Sequence, residues 1–283
     1  MNSVIYVNNL QKSFDGKEAL RNVSFTIPKG ETFGFLGPSG SGKTTTIKIL
    51  TAQLASFNGK VEVFGAPVKK LKKASEMKKI GVLTDNTGLY ERLTVEDNLK
   101  MFCDLYGVEH RRIDEVLHEV DLPNERKKPI NQLSKGMKQR ITLARTILHK
   151  PELLFLDEPT SALDPVSTER VHRVLKKLNE QGTTIFLTTH DMLEAEKICE
   201  RVAFLNQGEI QVMDSPSNLR LRYAEPTITL LFADGKKKII QKDVEGAQII
   251  QRAIEQNQLK SIHSNEPTLG DIFMRVTGKE LLV

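Results

Sequence analysis

Residues 33–36 read FGFL and residues 37–44 read GPSGSGKT, so a short apolar strand runs directly into a glycine-rich loop that ends in Lys43 and Thr44. Gly37 and Gly42 let the backbone curl without a clashing Cβ, and the N–H donors of such a loop converge on a volume the size of a di- or triphosphate. From Thr44 onward a helix is expected, whose unpaired N-terminal amides and positive dipole end face the same anion. Lys43 is placed to reach the β- and γ-phosphates, and the Thr44 hydroxyl to take a position on Mg²⁺. The first expectation is therefore a nucleotide site built from Gly37, Pro38, Ser39, Gly40, Ser41, Gly42, Lys43, Thr44 and Thr45.

Further downstream, Leu153-Leu154-Phe155-Leu156-Asp157-Glu158 is a buried-type strand ending in two carboxylates. Asp157 at the strand tip is suited to anchor Mg²⁺ beside Thr44, and Glu158, one residue on, to orient or deprotonate a water aimed at the γ-phosphate.

Around these motifs the periodicity changes twice. Val4-Ile5-Tyr6-Val7, Val23-Ser24-Phe25-Thr26-Ile27 and Lys60-Val61-Glu62-Val63-Phe64 alternate as half-buried strands, with Asp15-Gly16 and Lys29-Gly30 as turns, which reads as an antiparallel sheet. From 94 to 150 the period is helical: Thr94 and Asp97 cap a helix with Leu99, Met101, Phe102 and Leu105 as its apolar stripe. Ile113, Val116, Leu117 and Val120 form a second stripe. After 150, strands at 153–156, 184–187 and 202–205 alternate with helices at 170–181 and 193–199, the pattern of a mainly parallel sheet. Beyond about 224 two strands joined at Asp234-Gly235, a helix at 247–256, a strand near 261–263 and a helix at 269–276 read as a small α+β unit.

Composition limits the alternatives. The chain has 283 residues, of which 39% are hydrophobic, enough for one large domain and a small one. No run of about 18 apolar residues is present, and the opening MNSVIYVNNL lacks a basic-then-apolar leader, so a cytoplasmic location is expected. Cys103 and Cys199 lie far apart without C-x-x-C or histidine spacing, which argues against zinc and against a disulfide and for two buried thiols. Lysines 69, 70, 72, 73, 78 and 79 crowd together without interleaved aromatics, so they are read as a solvated connector and no nucleic-acid partner is expected. Lysines 236–238 follow the Asp234-Gly235 turn, where they would protect a sheet edge.

Between the two nucleotide motifs stands Leu133-Ser134-Lys135-Gly136-Met137-Lys138-Gln139-Arg140, about twenty residues before Asp157-Glu158. Here the chain resembles the ATP-binding cassette family, whose signature begins Leu-Ser-x-Gly at this distance from its acidic pair. Ser161-Ala162-Leu163-Asp164 resembles the family's D-loop, His190 its switch histidine, and Phe14 the aromatic residue that stacks on adenine. These motifs occur in the family's order over residues 1 to about 220.

The resemblance implies a P-loop NTPase cassette of α/β class, with a mainly parallel core sheet, an antiparallel β subdomain and a helical subdomain at about 92–150. On this reading the cassette covers 1–222 and a small C-terminal α+β domain covers 223–283. It also implies ATP and Mg²⁺ as ligands and head-to-tail pairing with a second ATP-binding subunit, identical or related. Each ATP would then lie between one phosphate loop and the other chain's Ser134, Gly136 and Asp164. Lys43, Glu158 and His190 would be the catalytic residues.

A separate integral membrane permease is the implied partner, which would hold the chain on the inner face of the membrane. The segment from Glu266-Pro267-Thr268-Leu269 to Gly278 resembles the closing stretch of bacterial exporters of drugs, antibiotics or lipids. One departure stands out: where the family carries glutamine after the strand at 80–83, this chain has Thr84-Asp85-Asn86. Asp85 is expected to touch the metal's water shell, with a loop-capping role as the alternative. Cassette ATPases acting on ribosomes or DNA form the rival class. They usually carry two cassettes or long coiled-coil insertions, neither of which occurs here.

Overall fold

Alternation of apolar residues builds the first sheet of the computed structural model, which describes residues 3–71, 74–84, 88–161 and 163–278. β1 (Ser3–Phe14) buries Ile5, Val7 and Leu10, and β2 (Lys17–Pro28) buries Leu20, Val23, Phe25 and Ile27. They pair antiparallel with Tyr6 opposite Thr26. β3 (Thr32–Leu36) then leaves for a second sheet, and α1 (Lys43–Leu50) follows it. β4 (Asn58–Val63) and the two-residue β5 (Ala66–Pro67) return to the edge of β1, giving the order β2-β1-β4-β5.

The second sheet carries the core. After α2 (Ala74–Met77) come β6 (Ile80–Leu83), then α3 (Val95–Tyr106), α4 (Arg112–Glu119) and α5 (Lys135–Ile147), and then β7 (Leu153–Asp157). α6 (Pro165–Glu180), β8 (Thr184–Thr189), α7 (Met192–Ile198), β9 (Arg201–Asn206) and β10 (Glu209–Asp214) complete it, in strand order β10-β9-β3-β8-β7-β6. The pairings β9–β3–β8–β7–β6 are all parallel. Every residue of β3, β7 and β8 is buried, which is why these strands read as continuous apolar runs and not as alternation. Phe25, Phe33, Phe35 and Phe186 gather with ring centroids 5.5 to 6.5 Å apart, joining the two sheets.

The helical segment begins where the capping signal places it: the Thr94 hydroxyl accepts the Asp97 amide while the Asp97 carboxylate accepts the Thr94 amide. The apolar stripe of α3 differs from the expected one. Leu99 and Cys103 are buried, whereas Met101 and Leu105 are exposed, because positions four apart share a face and 101 and 105 occupy the opposite one. Both cysteines are buried and free.

By its contacts the chain divides after Met213, into Met1–Met213 and Asp214–Val283. The break falls earlier than the expected one after 222. α8 (Pro216–Arg222), capped by Ser215, buries Leu219 and packs on α10 (Leu269–Thr277) inside the second unit. Between them, β11 (Thr227–Phe232), β12 (Lys237–Gln241) and β13 (Leu259–Ser264) form an antiparallel sheet in the order β12-β11-β13, with α9 (Val244–Glu255) touching β12 and β13. Lys237 and Lys238 are exposed on β12, an edge strand.

Candidate active site

The phosphate loop hangs between two strands that leave Gly37 and Gly42 no room for a side chain. A Cβ on Gly37 would stand 2.1 Å from the Leu205 carbonyl oxygen, and one on Gly42, at φ +115, would stand 2.8 Å from that of Ala19. The loop is tied down further by the Ser41 amide donating to Pro38 O at 3.2 Å and the Gly208 amide donating to Ser41 O at 3.0 Å. α1 starts without a side-chain cap, so its first amides are free for an anion. Lys43 is only 6% exposed and donates to Gly37 O at 2.6 Å and Pro38 O at 3.1 Å. Burial lowers its pKa below the usual lysine range, with the Glu158 and Asp157 carboxylates pulling it partly back.

β7 delivers the two carboxylates. Asp157 is buried and accepts from the Thr44 hydroxyl at 2.9 Å and from the Thr188 hydroxyl on β8. Glu158 has a left-handed backbone, φ +48, held by its amide donating to Thr188 O at 3.0 Å. Such a conformation costs a non-glycine residue about 1 kcal/mol. It ends the strand, and the two oxygens of Glu158 face Lys43 Nζ at 3.7 Å and His190 Nδ1 at 3.2 Å. A cleft of about 300 Å³ lies over this group, lined by Ala19, Ser39, Gly40, Gly42, Lys43, Thr44, Thr45, Asp157 and Glu158. Neighbouring hydroxyl and carboxylate oxygens, Thr44 and Asp157, are a hard donor set that suits Mg²⁺ completed by substrate phosphates.

A second cluster forms elsewhere in the same unit. Ser134 is exposed and caps α5, accepting the Met137 amide at 3.2 Å, and Asp164 caps α6, accepting the Ser167 amide at 2.9 Å. Gly136 brings the two helices together: a Cβ there would stand 2.3 Å from Ser167 Oγ and 3.6 Å from an Asp164 carboxylate oxygen. None of Ser134, Gly136 and Asp164 lines the phosphate-loop cleft.

Residues 20–161 match the ABC transporter family. The chain belongs to that family. A fluoroquinolones export ATP-binding protein of Mycobacterium tuberculosis is 36% identical over 273 residues, which covers 93% of this chain and 89% of that protein. The linearmycin resistance ATP-binding protein LnrL of Bacillus subtilis is 31% identical over 98% of this chain and 99% of its own length. Among solved structures, the ATP-binding subunit of an ABC transporter aligns with a TM-score of 0.70 at 25% identity, over 78% of this chain and 93% of that one. The cassette MJ0796, as a dimer in a post-hydrolysis state bound to ADP and Pi, aligns with a TM-score of 0.67 at 30% identity, over 75% and 98%. This chain is thus an ATP-binding cassette with the ATPase domain of its family.

Within the cassette, the structure brings Lys43, Thr44, Asp157, Glu158 and His190 into one group joined by hydrogen bonds and ion pairs, and leaves Phe14 apart from it. Phe14 ends β1, is 44% exposed, has Lys12 Nζ 4.5 Å above its ring and does not line the cleft. Asp85 lies outside the described residues. Sequence reasoning missed Thr188, which holds Asp157 and the Glu158 amide, although a hydroxyl closing the apolar run 184–187 was the same signal that marked Asp157. It also missed Gln139, whose side chain donates to Pro159 O at 2.7 Å and so ties α5 to the turn after Glu158.

Proposed function

We propose that this cassette is the ATP-hydrolysing subunit of an exporter, working as one half of a head-to-tail pair on a separate membrane permease. The observation that carries the proposal is the separation of two anion-suited clusters within one unit. Lys43 and Glu158 line the phosphate-loop cleft and His190 contacts Glu158, while Ser134, Gly136 and Asp164 stand at other helix N-termini and do not line it. A second copy, or a related cassette, turned to face this one would bring its Ser134 and Gly136 amides to the exposed side of the ATP.

In this arrangement the loop from Gly37 to Thr45 cradles the phosphates, and Phe14 offers a ring for the adenine. Lys43 exchanges its bonds to Gly37 O and Pro38 O for phosphate oxygens. Glu158 accepts a proton from the attacking water, and His190, in contact with Glu158, steadies that carboxylate and the γ-phosphate. Thr44 and Asp157 would hold Mg²⁺, which neutralises charge developing on the transferred phosphoryl group. Asp85 would contribute to the water shell of that ion. Export is supported by relatives described as serving fluoroquinolone export and Nod factor export. Among the described residues no helix is long and apolar enough to cross a membrane, so a membrane-embedded permease would supply the path and hold the chain at the inner face.

ATP turnover by the full chain and by Glu158→Gln tests the catalytic core. The variant should bind ATP normally, accumulate as the ATP-bound pair and lose turnover by about a hundredfold or more. Equal turnover by both proteins would contradict it. Co-purification separates the classes: recovery with a polytopic membrane protein supports the exporter, recovery on ribosomes or DNA the rival.

A further inference from the structure

A buried carboxylate outside the cleft joins three of the segments that carry the candidate residues. Glu194, on α7 and 2% exposed, accepts on one oxygen from the Thr160 hydroxyl at 2.6 Å and from His172 Nε2 at 3.0 Å. Thr160 stands two residues past Glu158, inside a turn that the Ser161 amide closes onto Glu158 O at 3.1 Å. His172 is 5% exposed on α6, the helix that Asp164 caps. Glu194 itself follows His190 by four residues, and its amide donates to Asp191, the cap of α7, at 3.1 Å.

Packing alone does not account for this cluster. The second oxygen of Glu194 and Nδ1 of His172 are buried with no hydrogen-bond partner among the described residues. A half-satisfied buried carboxylate is a cost that apolar side chains of the same shape would avoid. What the carboxylate supplies is a directional tie between pieces of chain that are remote in sequence.

We propose that Glu194 is a positioning residue for ATP hydrolysis: through Thr160 and His172 it fixes the turn after Glu158 against α7, whose Asp191 cap directly follows His190, and α6, which Asp164 caps. The inference rests on Glu158 and His190 acting as described above. Chemistry that depends on a carboxylate held within fractions of an ångström loses rate when its support loosens. ATP binding draws on the phosphate loop, which Glu194 does not touch, so loosening this tie lowers kcat and spares affinity.

The test uses the full chain with Thr160→Val, Thr160→Ser and Glu194→Leu, each measured for kcat, KM for ATP, ATP affinity and thermal midpoint, beside wild type and Glu158→Gln. Thr160→Val is expected to lower kcat about tenfold with KM and affinity within about twofold of wild type. Thr160→Ser, which restores the hydroxyl, should return most of the rate. Glu194→Leu should match Thr160→Val, and the double variant should be no slower than either alone. Thr160→Val trims one hydroxyl from a partly exposed residue, so it reports even if Glu194→Leu does not fold. Wild-type kcat in Thr160→Val, or a loss that Thr160→Ser does not reverse, overturns the inference while Glu158→Gln remains inactive. A Glu158→Gln variant as fast as wild type overturns the catalytic reading and the inference with it.

Discussion

Asp157 and Glu158 are adjacent in sequence and face different partners because β7 ends between them. The buried Asp157 is gripped by the hydroxyls of Thr44 and Thr188, while the left-handed backbone of Glu158 turns its carboxylate toward Lys43 and His190. Thr188 serves both residues, since its hydroxyl donates to Asp157 and its backbone oxygen accepts the Glu158 amide. Thr188→Val keeps the shape and the backbone bond but leaves one oxygen of a buried carboxylate without its donor, a loss of about 1–3 kcal/mol. Urea unfolding should show that drop, and a Mg²⁺ titration of ATP turnover should show a higher half-maximal concentration, because Asp157 is no longer aimed at the Thr44 side. Unchanged stability and an unchanged Mg²⁺ requirement would contradict this role. The two acids were legible in the sequence from their place at the end of an apolar run. Their different orientations were not, because a backbone turn is set by the neighbouring strand and not by the local letters.

Several helix starts follow from caps. Thr268 and Asp271 close a reciprocal box at the start of α10, and the Thr268 hydroxyl and amide hold the Asp271 carboxyl below its ordinary pKa. A lowered carboxylate pKa means that the unfolded chain binds the proton more readily. The stabilisation is therefore complete above the ordinary aspartate range and lost as pH falls through the native value. Protection factors across α10, which divide out the intrinsic slowing of amide exchange in acid, should accordingly fall on acidification below about pH 4 in the wild type. Thr268→Ala should cost about 1 kcal/mol at neutral pH and show a weaker acid dependence. An identical acid profile in the variant would contradict the assignment. Capping also explains two shortfalls of periodicity. α6 begins at Pro165, five residues before the helix expected at 170, because Asp164-Pro165 is itself an N-cap followed by proline at the first helical position. α9 likewise begins at Val244 behind the Asp243 cap, ahead of the apolar positions that announced it. The domain break was misplaced for another reason: α8 joins the second unit through α10, fifty residues away, a pairing that no local pattern encodes.

At the scale of the whole molecule, the cassette keeps apart two clusters that the proposed ATP site would join across a pair. The order of motifs along the chain made each cluster legible, since phosphate loop, acidic pair and helix-capping serine each carry their chemistry in a few residues. Distances between them are tertiary, and they decide which residues work together: Lys43, Glu158 and His190 form one group, and Ser134, Gly136 and Asp164 form another. In the proposed head-to-tail pair this separation would be productive, because each phosphate loop would meet the signature helix of the opposite chain. Mixing two inactive variants tests that claim most directly. Lys43→Ala disables a phosphate loop and leaves the signature helix intact, whereas Ser134→Arg does the reverse. Alone, each should be inactive. Mixed in equal amounts and allowed to exchange, they should recover up to about a quarter of wild-type ATP turnover, because half of the pairs then contain one intact composite site out of two. A mixture as inactive as its components, beside an active wild type, would contradict the shared site.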